Sequence, residues 1–129
     1  NKVFIEKYNI IGDFDFFLRL SKKYKFKAIQ KPVATYRIHD KNYSILNKDL
    51  EAKELEVWLK KNRRNLTDKE YKHIRKKILQ IKFVNLKYKY SLFETFIFFF
   101  SNISLLLNIK NILILFFPNF VLRKFIRFF

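Results

Sequence analysis

The stretch "IIGDFDFFLRL", residues 10–20, sets two acids one residue apart behind the only glycine of the chain. Phe14, Phe17, Leu18 and Ser21 recur at helical spacing, which predicts a helix from Gly12 to Tyr24. Asp13 and Asp15 then fall in its first turn, where carboxylates suit the positive end of the helix dipole. A metal clamp is excluded for this pair. On a helix, positions i and i+2 lie roughly 200° apart, so the two carboxylates cannot chelate one ion. Asp15 stands four residues before Arg19, a spacing that supports an ion pair of a few tenths of a kcal/mol; it could equally serve the helix N-terminus. Asp13, at the mouth of the helix, is either a first-turn or capping acid or a carboxylate pointing into a cleft. Spacing alone leaves both readings open.

After this helix, "KFKAIQKPVATYRIH", residues 25–39, reads as two short extended segments punctuated by Pro32, which biases Lys31 away from helix. On a strand, Arg37 and His39 share one face, while Tyr36 and Ile38 share the other. A helical stripe follows at Leu46, Leu50, Leu55, Trp58 and Leu59. "LTDKEY", residues 66–71, then offers Thr67 as N-cap, Glu70 as its capping-box partner, and Leu66 with Tyr71 as a hydrophobic staple. Tyr71, Ile74, Ile78, Ile81 and Tyr88 carry that second helix onward.

With 129 residues the chain can bury one modest core. It has 28 basic and 11 acidic residues, a net charge of +17, and half its residues are hydrophobic. That combination points to a membrane surface or a polyanion more than to an ordinary soluble enzyme. Part of it fits the composition of an AT-rich genome, in which Lys, Asn, Ile and Phe are abundant. Without cysteine there is no disulfide framework and no thiolate zinc site. Without methionine, Asn1 is not a natural translation start, and the chain reads as a C-terminal piece of something longer.

Residues 1–90 hold 24 of the 28 basic residues, whereas residues 91–129 hold 11 of the 17 phenylalanines, which sets a boundary near Ser91. "TFIFFFSNISLLLNI", residues 95–109, is uncharged, and the apolar run resumes in "NILILFF", residues 111–117. Ser101, Asn102, Ser104, Asn108, Lys110 and Asn111 interrupt the roughly 20 apolar residues a spanning helix needs. The pattern suits a helix lying in the membrane interface, with a buried hairpin of core helices as the competing reading. "NFVLRKFIRFF", residues 119–129, sets cations beside apolar wedges, so Phe120, Arg123, Lys124, Phe125, Arg127 and Phe128 are the expected contacts with an anionic membrane surface. Between Lys41 and Tyr90, 15 basic residues face six acids, but the interleaved tyrosines fall on the apolar side of the helical pattern, so no nucleic acid is expected.

"YNIIGDFDFFLRLSKKYKFKAIQKPVATYRIHDKNYS", residues 8–44, is similar to the acceptor-side half of family 2 glycosyltransferases with the GT-A fold. In that family a Glu-Asp pair or a close variant precedes an aromatic residue, a second acid and a Leu-Arg-Leu helix; a strand and a "YRxH" segment with small polar residues follow. Here these are Asp13, Phe14, Asp15, "FLRL", "KFKAIQ", "YRIH" and "NYS", with Gly12 where the family has its Glu. The resemblance implies that Asp13 is the general base of an inverting transfer from a nucleotide-sugar donor to a glycan or lipid-linked acceptor. It places Arg37 and His39 toward the diphosphate or its metal, although an exposed basic edge strand would show the same pattern. A divalent metal, Mg or Mn, is expected in the full-length enzyme with its main ligands outside this chain. The setting would be the cytoplasmic face of a membrane, with peripheral or monotopic attachment, and the chain alone would be inactive. The fold expected is α+β and mostly helical. Residues 1–45 would be the C-terminal part of a GT-A α/β domain (a helix and a short strand pair), 46–90 a basic amphipathic helical region, and 91–129 an apolar interfacial tail. The alternative is a non-enzymatic basic helical module that binds membrane or nucleic acid.

Overall fold

A computed structural model of the chain describes residues 4–35, 37, 42–89 and 91–117. Among these residues the protein is all-α. Seven helices follow in order: α1 (Gly12–Ser21), α2 (Tyr43–Leu46), α3 (Lys48–Asn62), α4 (Asp68–Lys89), α5 (Leu92–Ser101), α6 (Ile103–Leu106) and α7 (Ile109–Phe116), with a 3₁₀ turn, Arg63–Asn65, between α3 and α4. The chain forms two compact units, residues 1–54 and 55–129.

The expected strand pair is not there. Residues 25–35 run without regular structure and are exposed throughout, and no described residue is in a strand. The helix-plus-strand-pair portion of a GT-A domain is therefore corrected to an all-α arrangement. The physical reason lies in what a strand needs. Its N–H and C=O groups must be matched by a neighbouring strand, two strands alone are marginal in water, and Pro32 withholds a donor in the middle of the segment.

In the first unit, α1 starts where the 3.6-residue pattern begins and carries Asp13 and Asp15 in its first turn and Arg19 in its last. Four phenylalanines line its outer side: Phe4 stacks on Phe16 at 4.7 Å, Phe16 meets Phe17 at 5.5 Å, and Phe17 meets Phe26 edge-on at 6.2 Å between ring centres. The apolar stripe expected from Leu46 is broken at Asn47, where the backbone leaves helical geometry between α2 and α3. Leu46 is left exposed and Leu50 half-buried, while Ala52 is buried.

In the second unit, α4 starts at the expected capping box. The Thr67 N–H donates to the Glu70 carboxylate at 2.7 Å, and the Glu70 N–H returns to Thr67 Oγ1 at 3.3 Å. The Tyr71 ring lies under the guanidinium of Arg63, 4.4 Å from its centre. A second capping box opens α5, between Ser91 and Glu94. The second half of α4 carries Phe83, fully buried against Phe99, Leu106, Ile114 and Leu115. α5, α6 and α7 thus fold back on α4 as a hairpin.

Of the polar residues that interrupt the tail, Asn102 and Asn108 stand between helices. Asn102 lies between α5 and α6 and donates to the Phe98 carbonyl at 3.0 Å; Asn108 caps α7 by accepting the Asn111 N–H at 2.9 Å. Asn111, fully buried, donates to the Leu106 carbonyl at 2.7 Å and accepts from the Gln80 amide. Lys87 is buried as well; its Nζ donates to the Leu115 carbonyl at 3.0 Å near the end of α7, and burial lowers its pKa. No helix among the described residues is long and apolar enough to cross a membrane.

Candidate functional site

The entrance of α1 is built from three acids and a tyrosine, all in the first unit. Ile11, at the N-cap position, has no side-chain oxygen to offer the orphan amides. Glu54, on α3 and 43 to 45 residues away, holds the turn just before the helix. Its carboxylate accepts the N–H groups of Asn9 at 2.8 Å, Ile10 at 3.0 Å and Ile11 at 3.1 Å. Three charge-assisted bonds to consecutive amides fix the turn that leads into the helix. Glu54 is itself buried, as are Ile11 and Tyr8.

The two aspartates have opposite surroundings. Asp15 is buried, and Arg19 Nε donates to it at 2.9 Å across one helical turn, while the guanidinium also lies 5.9 Å from the centre of the Phe16 ring. Asp13 is exposed, with its Oδ1 accepting the Phe14 N–H at 2.7 Å. The opposition follows from the helix itself, since neighbours two residues apart point to different sides. No group of three or more His, Asp or Glu among the described residues is placed to hold a metal ion.

Gly12 is not needed for backbone geometry, because its φ is not positive, and a Cβ there would meet Phe4 Cδ1 at an ordinary 3.9 Å. Arg37 is exposed, and its carbonyl accepts from Asn42 Nδ2 at 3.4 Å. His39 lies outside the described residues, as do Phe120, Arg123, Lys124, Phe125, Arg127 and Phe128.

Glu54 and Tyr8 were not anticipated from the sequence. A signal existed for Glu54, since Leu50, Glu54 and Trp58 are spaced four apart, so an acid stands in an apolar row of the helix. The Tyr8 hydroxyl is pushed above its usual 10.0 by burial first, and then by the negative charges of Asp15 and Glu54. A phenol that holds its proton more tightly when folded contributes stability that is complete below the unfolded value. That stability is lost as pH rises through the folded value. Urea unfolding of wild type and Tyr8→Phe between pH 8 and 12 should therefore show a stability difference that moves against wild type only above about pH 10. A difference that stays constant across this range would mean that folding does not raise the pKa of the Tyr8 phenol.

No family model, no curated protein and no solved structure matches the chain in comparisons with each.

Proposed function

We propose that the chain is the acceptor-side part of a membrane-associated, inverting sugar transferase of the family 2 kind, with Asp13 as its general base. The single observation that carries this reading is the division of labour between the two acids of "GDFD". Asp15 is buried and engaged with Arg19, while Asp13 stands exposed at a helix entrance that a third carboxylate, Glu54, holds in place. The order of "GDFDFFLRL", "YRIH" and "NYS" along residues 12–44 supports it independently.

In the reaction, the Asp13 carboxylate takes the proton of an acceptor hydroxyl as that oxygen attacks the anomeric carbon of a nucleotide-activated sugar. The bond from that carbon to the diphosphate oxygen breaks on the opposite face, and the nucleoside diphosphate leaves with the electron pair. The acceptor is a glycan or a lipid-linked intermediate, the site of action is the cytoplasmic face of a membrane, and a divalent metal, where the reaction uses one, would be held mainly by residues outside this chain. A single displacement has one stereochemical outcome. In the polypeptide that carries the nucleotide site, the new glycosidic bond should have the anomeric configuration opposite to that of the donor, read from the anomeric proton coupling of the product. Retention would rule out direct displacement, and with it the role given to Asp13.

A further inference from the structure

The apolar stripe of the second unit is divided between two helices and left uncovered. On α5, Phe93, Ile97 and Phe100 are spaced four and three apart and are 73%, 53% and 59% exposed; on α7, Leu113 and Phe116 are 47% and 70% exposed. Phe96 joins the two helices into one surface. Its ring stacks with Phe100 at 6.3 Å and meets Phe116 edge-on at 6.0 Å. Behind this surface, Phe99 contacts Phe100 at 5.5 Å and Phe83 of the core at 5.6 Å, so the platform is anchored by packed aromatic rings. The five exposed side chains present roughly 600 Å² of apolar surface, at the upper end of what a soluble monomer usually shows in one patch.

We propose that α5 and α7 form a monotopic platform that lies flat on an anionic phospholipid leaflet, with Phe93, Ile97, Phe100, Leu113 and Phe116 inserted among the upper acyl chains. This rests on the membrane part of the reading above and needs no step of sugar transfer. Two observations choose the occupant. The first is charge. The chain carries +17, with exposed Lys69, Lys72, Arg75, Lys76 and Lys77 on the first half of α4 and three more cations in sequence after α7. A second copy of such a chain is repelled, whereas an anionic leaflet is attracted.

The second observation concerns four polar side chains of the hairpin, which are paired with its own backbone. Ser101 donates to the Ile97 carbonyl at 2.7 Å, Asn102 to Phe98 at 3.0 Å, Asn108 to Leu106 at 3.2 Å and Asn111 to Leu106 at 2.7 Å. A segment at the edge of hydrocarbon needs that internal pairing, because the acyl region offers no hydrogen-bond partners. The length of α5 fits the same picture. Ten residues extend about 15 Å, half of a hydrocarbon core of about 30 Å, so the helix lies on one leaflet and does not cross it.

The chain has no cysteine, so single nitroxide labels can be placed without background. The complete chain should sediment with vesicles of phosphatidylglycerol and phosphatidylcholine mixed 3:7, and at least tenfold less with phosphatidylcholine alone. With the vesicles, labels at Ile97→Cys and Phe116→Cys should gain oxygen accessibility and lose accessibility to an aqueous relaxant, while a label at Lys72→Cys stays aqueous. The double variant Ile97→Glu/Phe116→Glu should bind at least tenfold more weakly at unchanged helicity. The proposal is overturned if the labels at 97 and 116 remain as water-accessible as the one at 72. It is overturned equally if those labels broaden through contact between copies, with the chain sedimenting as a dimer and leaving the vesicles unbound. Because the vesicles contain no sugar nucleotide, neither failure touches the chemistry assigned to Asp13.

Discussion

Asp13→Asn, made in the polypeptide that carries the nucleotide-sugar site, is expected to slow sugar transfer by about 10²–10⁴-fold. That is a barrier increase of roughly 2.7–5.5 kcal/mol. Asparagine keeps the size of the side chain and an oxygen that can accept the Phe14 N–H, so the first turn of α1 retains its geometry. What it lacks is a site for the proton of the acceptor hydroxyl. The loss should therefore appear in the chemical step under single-turnover conditions, with donor binding and the unfolding curve both unchanged. Asp15→Asn is the control with the opposite signature. It removes the charge from a buried acid that Arg19 pairs with at 2.9 Å. The first unit should lose about 1–3 kcal/mol of stability, while the folded enzyme keeps activity within about tenfold of wild type. If the two variants change places, the base is Asp15. If both variants stay within about tenfold of wild type, neither acid is the base.

The contrast between these two aspartates shows which parts of the chain were legible beforehand. α1, the Asp15–Arg19 spacing and the Thr67–Glu70 capping box are local patterns in which every partner lies within four residues, so the sequence contains the whole interaction. The Ser91–Glu94 box is equally local, contained whole in "SLFE". The strand pair failed for the reverse reason, since a strand is defined by a partner and its partner is not local. Phe83, the deepest aromatic of the core, lies off the stripe that runs through Ile74, Ile78 and Ile81. The hairpin of α5 to α7 draws a second face of α4, through Leu79, Phe83 and Val84, into the core. Where a polar residue breaks an apolar run, composition cannot say whether it faces water or turns the chain. Asn102, Asn108 and Asn111 turn it.

Glu54→Ala is expected to have the largest effect on the first unit, although nothing in the sequence places Glu54 near Asp13. The substitution leaves the amides of Asn9, Ile10 and Ile11 without the carboxylate that accepts all three within 3.1 Å. Hydrogen bonds to a charged group contribute about 1.5–3 kcal/mol each and are not additive here, because one oxygen serves two of the amides. A loss of about 3–4 kcal/mol is therefore expected. It should be read locally, as a roughly 10²–10³-fold rise in the exchange rates of those three amides. Glu54→Gln keeps one accepting oxygen and should lose about half as much. Activity should fall with the exchange protection, because the turn held by Glu54 determines where the Asp13 carboxylate stands, and a displacement of about 1 Å can cost on the order of 10²-fold in rate. The two lesions then separate by their readouts. Glu54→Ala lowers exchange protection and rate together, whereas Asp13→Asn lowers the rate alone. If Glu54→Ala left exchange at residues 9 to 11 unchanged, the carboxylate would not be what orders the entrance to α1.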